Sequence, residues 1–300
     1  MIETPLVSVV IAAYNMGQYI REAIDSVLAQ DWPAVEVVLV DDGSTDETAC
    51  ALDAYADEPR VTVIRQANAG QTKAKNAGLR VARGEYVGFC DADNVWLPGK
   101  LRRQVPLLQA NPGAGVVYGD VALIGPAGES LPAPRVKRWG GRISGRLLAD
   151  NFVTFNTTLT PRRVLEEFGG FDESLRMAID YDLWLRVSTK YEFLYVRETL
   201  VQYRIWGGQM SHRTGERLDS YFRLLERFLE RYPDSVSQAD VAGAYAHTYI
   251  TRGIWRAREG DRAAAWRDLL LACRRRPIDI RLWRVAASLA LGRLGPRGRT

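Results

Sequence analysis

The residues best suited to chemistry in this 300-residue chain are carboxylates, in three groups: Asp41-Asp42 ahead of Gly43-Ser44, Asp91-Ala92-Asp93-Asn94, and Asp180-Tyr181-Asp182 ahead of Leu183-Trp184. Two carboxylates one residue apart at a strand end point to the same side, so Asp91 and Asp93 can approach one divalent cation together. Oxygen ligands without sulfur or imidazole nearby favour Mg²⁺ or Mn²⁺ over zinc. A cation held through one or two carboxylates, its shell completed by phosphate and water, is the mode expected for a nucleotide diphosphate. Turns use Asp freely, so a lone DxD is weak evidence; a second acidic strand end at Asp41-Asp42 strengthens it. For Asp41 or Asp42 alone, a turn before a capping box is an equally open reading. If Leu183, Trp184 and Val187 form a buried stripe, a carboxylate at the start of their helix faces a cleft and can accept a proton. Asp182 is expected to cap that helix and Asp180 to do the chemistry.

Other chemistries find little material. Two histidines, His212 and His247, are too few for a multi-His zinc site or most hydrolase triads. Cysteines at 50, 90 and 273 have no CxxC spacing, which excludes a disulfide framework and suits a reducing compartment. Tyr14-Asn15-Met16-Gly17-Gln18 follows the first apolar run where a dinucleotide fold would carry GxGxxG, and no P-loop occurs. Composition is ordinary for a globular chain, at 47% hydrophobic and 25% charged. The N-terminus lacks a basic stretch before an apolar one, and no apolar run reaches the ~18 residues of a membrane span, so a cytoplasmic location is expected.

Net charge is +4, but the last fifty residues hold 13 Arg, no Lys and four acids, or +9, leaving −5 for residues 1–250. Basicity is therefore a property of the tail. A solvated Arg-rich helical face is the expectation, with no nucleic-acid partner; peripheral contact with the inner face of the cytoplasmic membrane is the alternative.

Positioning these groups requires an α/β frame. Apolar β-branched runs at Val7–Ala13, 35–40, 61–64 and 86–90 alternate with helical spacings, which predicts a parallel sheet with crossover helices. The first helix is expected over 17–30, and Ser44 with Glu47 reads as a capping box opening the second. Pro98 opens a further helix, 115–118 is a short strand, and 125–134 is a Pro/Gly-rich loop. Beyond it the rhythm breaks: strand at 156–160, short helix at 161–168, helix at 180–190, mixed strand at 192–204. Helices are expected at 214–231, 237–259, 261–275 and 278–292. The two around Gly260-Asp261 resemble one tetratricopeptide-like unit, which reads as an appendage and not an array. Domains are accordingly expected at 1–213 and 214–300.

The whole series has a family likeness. Val7 to Asn15, Val38 to Asp46, Lys75-Asn76-Ala77-Gly78-Leu79, Gly84-Glu85-Tyr86, Asp91-Ala92-Asp93, Gly169-Gly170-Phe171-Asp172 and Asp180 to Arg186 resemble, in order, the family 2 glycosyltransferases of the GT-A fold, over residues 6–211. The resemblance implies a mixed sheet flanked by helices with an all-helical C-terminal extension. It implies inverting sugar transfer from a UDP-, dTDP- or GDP-sugar to a carbohydrate or lipid-linked acceptor, in surface polysaccharide or glycolipid synthesis. By similarity Asp42 hydrogen-bonds the nucleoside, Ala12-Ala13-Tyr14 line its pocket, Asp93 with Asp91 holds Mn²⁺ or Mg²⁺, and Asp180 is the general base. Lys75 and Asn76 fall near the donor, with a helix-surface charge and a helix-facing amide as their plain readings. Two departures stand out: Ile179 where the family commonly has Glu, and Trp206 where many relatives carry a His that reaches the metal or diphosphate. His212 is a candidate substitute. A sugar nucleotidyltransferase is disfavoured by the missing Gly-rich start, and a decayed, non-catalytic binding protein by the survival of all three acidic sites.

Overall fold

Runs of Val, Ile and Leu buried on both faces build the centre of a mixed sheet, as parallel strands covered by crossover helices require. The computed structural model describes residues 4–134, 136–209 and 214–295. They fall into two compact units, Met1–Ile143 with Phe152–Gly207, and Ser144–Asn151 with Gly208–Thr300.

The first unit holds β1 (Val7–Ala13), β2 (Val35–Asp41), β3 (Val61–Arg65), β4 (Tyr86–Phe89), β5 (Val95–Trp96), β6 (Ala114–Ile124), β7 (Ser130–Leu131), β8 (Leu159–Pro161) and β9 (Glu192–Arg204). Their order is β3-β2-β1-β4-β8-β6-β9-β5, with β7 on β6. Strands β3, β2, β1 and β4 run parallel, so the chain leaves β1, β2 and β4 at one edge, where ligands of open α/β sheets bind. Strand β8 pairs antiparallel with β4 and β6, and β9 runs parallel to β6. The helices are α1 (Ile20–Leu28), α2 (Thr48–Asp53), α3 (Gln71–Val81), α4 (Lys100–Ala110), α6 (Arg162–Glu167) and α7 (Ile179–Ser188); α5 (Ser144–Ala149) belongs to the other unit. A Cβ on Gly78 would lie 2.4 Å from Val10 Cγ1, so only glycine lets α3 ride this close to β1.

Several bounds differ from the sequence expectation. Strand β6 runs on through Ile124 because β9 pairs along its whole length. Residues 156–160 divide into a 3-10 turn (Phe155–Thr157) and β8. Helix α4 starts at Lys100, after Gly99 in the left-handed region (φ 79°), and not at Pro98. Lys100 is fully buried: its Nζ donates to Gln104 Oε1 (2.7 Å) and Thr158 O (3.3 Å) and sits 3.7 Å from the Trp96 ring centroid. Burial pushes its ammonium down to about 7.

The second unit is α5 with α8 (Thr214–Arg231), α9 (Gln238–Arg258), α10 (Arg262–Arg275) and α11 (Ile280–Ala290). Ser237 and Asp240 form a reciprocal capping box on α9, each side chain accepting from the other's backbone N–H at 3.1 Å. Small residues let α9 and α10 approach closely: a Cβ on Gly253 would lie 3.3 Å from Ala265 O. Between them the buried Asp268 accepts from Arg252 (2.8 Å) and pairs with Arg256 (3.0 Å). Ala246, Ile250, Leu269, Leu282 and Leu289 fill its core.

Candidate active site

The loops leaving β1 and β2 are fastened together. Asn15, in the left-handed region (φ 53°), donates its N–H to Ser44 Oγ (3.1 Å) and accepts from Thr45 N (2.8 Å) on its Oδ1. Met16 N donates to Thr48 Oγ1 (2.7 Å), and Gly17 N to Asp46 Oδ2 (3.1 Å). These bonds replace the expected capping box: α2 begins at Thr48, and the Ser44 hydroxyl accepts from the neighbouring loop's Asn15 N–H in place of its own helix. The first helix likewise starts at Ile20, because Met16 to Gly17 are occupied by this docking. On this platform Ala12 is half-buried and Tyr14 exposed at 46%.

Asp41 and Asp42 are both buried. Asp41 Oδ1 accepts from Ser44 N (2.9 Å), closing a local Asx turn. Asp42 accepts from Gln66 Nε2 (2.7 Å), Ala69 N (2.9 Å) and Gly70 N (2.8 Å), and so anchors the turn that opens α3.

Helix α3 then reaches the other two acidic groups. Lys75 Nζ donates to Asp91 Oδ1 (3.0 Å) and lies 4.7 Å from the Phe155 ring centroid. Thr72 Oγ1 donates to Leu175 O (2.8 Å), and Gln71 Nε2 to Arg176 O (3.2 Å), on the segment leading into α7. Asn76 Nδ2 donates to Phe171 O (2.8 Å) and Glu173 Oε1 (3.0 Å), while its Oδ1 accepts from Phe171 N (3.0 Å). The amide of Asn76 is thereby engaged in holding that segment.

The DxD turn is held from two sides. Asn156, 1% exposed, accepts from Asp91 N (2.5 Å) on its Oδ1 and donates to Asp91 Oδ2 (2.7 Å). Both carboxylate oxygens of Asp91 therefore have partners within the chain. At the other side Arg204 Nε donates to Asp93 O (3.0 Å), Arg204 N to Asn94 Oδ1 (2.8 Å), and Trp206 Nε1 to Asp93 Oδ2 (2.8 Å). Trp206 leans on Tyr19 (centroids 5.6 Å apart), and the Arg204 guanidinium lies 4.6 Å from the same ring. Neither Asn156 nor Arg204 was singled out in the sequence.

Asp180 stands half-buried in the first turn of α7. The cap is Ala178, a non-glycine residue in the left-handed region (φ 57°), so Asp182 does not cap as expected. It pairs with Arg186 (2.8 Å), whose guanidinium also donates to Phe168 O (2.5 Å) and Gly170 O (2.8 Å). Ile179 and Trp184 are buried, Trp184 lying 6.3 Å from Phe155, the ring that Lys75 covers.

Among the described residues no group of three or more His, Cys, Asp or Glu is arranged to hold a metal, and His212 lies outside them. With Asp91 engaged by Lys75 and Asn156, and an indole N–H on Asp93 Oδ2, the oxygens present fit a divalent cation in the sparse mode: one carboxylate, Asp93, with phosphate and water completing the shell.

The model for glycosyl transferase family 2 matches residues 8–159. A glycosyltransferase of Rickettsia prowazekii is 33% identical over 235 residues, covering 77% of this chain and 73% of that protein. Chondroitin synthase of Escherichia coli is 29% identical over 233 residues, 76% of this chain and 33% of the synthase. Among solved structures, Staphylococcus aureus TarS 1–349 in complex with UDP-GlcNAc superposes with a TM-score of 0.71 at 19% identity, over 96% of this chain and 92% of that one. The Pyrobaculum calidifontis mannosyltransferase in complex with GDP-Man and Mn²⁺ gives 0.65 at 22%, over 97% and 80%. The sheet is thus of the GT-A kind, and the chain, matched by the family model over just over half its length, belongs to glycosyl transferase family 2.

Proposed function

We propose that this glycosyltransferase moves a sugar from a nucleoside-diphosphate donor to an acceptor hydroxyl in one inverting displacement, in the synthesis of a surface polysaccharide or glycolipid. The observation that supports it most is the bracket formed by α3. Its start is fixed by Asp42, its Lys75 meets Asp91, and its Thr72 and Asn76 hold the segment that delivers Asp180.

In this reading Asp42 fixes the turn at 66–70 and, having engaged three of about four acceptor positions, keeps one for the nucleoside, over the platform of Ala12 and Tyr14. Asp93 holds Mn²⁺ or Mg²⁺, which when bound neutralises charge on the diphosphate. Asp91 keeps Lys75 in place, so that a fixed positive charge faces the phosphates. Asp180 takes the proton of the acceptor hydroxyl; that oxygen bonds to the anomeric carbon from the face opposite the diphosphate, whose carbon–oxygen bond breaks as it leaves. Donors of this class are bound by the structural neighbours carrying UDP-GlcNAc and GDP-Man, and polymer synthesis is suggested by the chondroitin synthase likeness.

Calorimetric titration of UDP, dTDP and GDP, with Mn²⁺ and then with EDTA, tests it. One nucleotide is expected to bind in a metal-dependent way, and Asp93→Asn to remove that dependence. Equal affinities in EDTA would remove the metal from the account.

A further inference from the structure

Each of the last two helices has two opposite faces that are not both explained by packing. On α11, Leu282 and Leu289 are buried, whereas Ile280, Trp283 and Leu291, at i, i+3 and i+11 on the other side, are 63%, 54% and 65% exposed. On α10, Ala265, Leu269 and Ala272 are buried, and the opposite stripe carries Trp266 and Leu270, the latter 60% exposed. Ile278, between the helices, is 83% exposed. The indole N–H of Trp283 already donates to Pro277 O (2.7 Å), so the part of the ring left to the outside is apolar.

Charge is interleaved with these side chains. Residues 262–295 contain eight Arg and two acids, Asp268 and Asp279. Both acids are buried and paired with Arg, so these residues show positive charge outward, while the exposed Glu259 and Asp261 lie at the N-terminal end of α10. Arg267 and Arg274 lie on the exposed stripe of α10, and Arg284 on that of α11.

We propose that α10 and α11 dock this enzyme on an anionic lipid bilayer, lying in the headgroup region with Trp266, Leu270, Ile280 and Trp283 toward the acyl chains and the Arg side chains on lipid phosphates. Arg with exposed Trp, Ile and Leu on one amphipathic face is the composition of interfacial helices. No described helix is long and apolar enough to cross a membrane, so the contact is a surface one. A second copy would set two positive faces against each other, which is repulsive. A nucleic acid would satisfy the Arg but leave the aliphatic side chains in water.

Sedimentation of the full chain with phosphatidylcholine vesicles, with and without phosphatidylglycerol, tests the proposal without any sugar donor, so its outcome is independent of the transfer reaction. Binding is expected only to the anionic vesicles, weakening as salt is raised. Leu270→Ser with Ile280→Ser, both exposed, is expected to abolish it, and Arg267→Gln with Arg274→Gln and Arg284→Gln to weaken it about a hundred-fold, about five-fold per charge. Quenching of tryptophan fluorescence by brominated phosphatidylcholine in mixed anionic vesicles reports the same insertion in the unsubstituted protein, whatever the variants do. Absence of vesicle binding, equal binding to neutral vesicles, or no quenching would overturn the proposal, as would light scattering that shows a dimer dissolved by the Leu270 and Ile280 substitutions.

Discussion

Asp93 is held by a hydrogen-bond donor, the indole of Trp206, at 2.8 Å. An indole offers an N–H donor and no nitrogen lone pair to coordinate a metal ion, whereas an imidazole is a metal ligand. Trp206→His is therefore expected to tighten Mn²⁺ binding in the presence of nucleotide by about ten-fold, read by calorimetry; unchanged affinity would separate this position from the metal. Asn156 is the opposite case, a neutral side chain that fixes a charged one. Asn156→Ala leaves the Asp91 N–H without its acceptor, and should cost about 1–3 kcal/mol of stability in denaturant titration. It should also lower turnover about 10–100-fold while nucleotide affinity changes little. Turnover near the parent's would make Asn156 only a packing residue. Nothing in the sequence pointed to it, because its partner is 65 residues away. Ser44 departs from the expected cap for a related reason: a good local cap is available, but the Asn15 N–H of the docked β1 loop takes its oxygen.

Elements were legible where one physical rule governed the whole segment. β1, β2 and β4 are buried on both faces and read as continuous apolar runs, and α8 to α11 carry helical periodicity over several turns. β5, of two residues, and α5, of six, are too short to carry a period, and β9 sets the length of β6 from outside it. The fully buried Lys100 of α4 gives this scale its pH test. Its folded pKa, lowered to about 7, lies below the unfolded value near 10.5, so between those limits the unfolded chain binds more protons. Stability from this group should rise as pH goes from 7 toward 10 and be lowest below 7. The trend should flatten in Lys100→Met, followed by chemical denaturation at several pH values. A parallel slope in that variant would assign the effect elsewhere. At the start of α9, Ser237→Ala should cost about 1 kcal/mol, visible as a lowered midpoint.

For the molecule as a transferase, the decisive matter is that three acidic groups far apart in sequence depend on one helix. α3 receives Asp42 at its start, Asp91 through Lys75, and the approach to Asp180 through Thr72 and Asn76. The acidic groups could be picked out in advance by residue type and by position, two at strand ends and one at a helix start; the helix joining them could not, since its part lies in contacts with segments up to 105 residues away. The most direct measurement compares Asp180→Asn with the parent for donor binding by calorimetry and for sugar transfer to acceptor. Donor affinity within about two-fold and transfer lowered by at least ~10²-fold is the predicted result, because only proton abstraction is removed. Transfer at the parent's rate, with donor binding intact, would contradict the role of Asp180 as base.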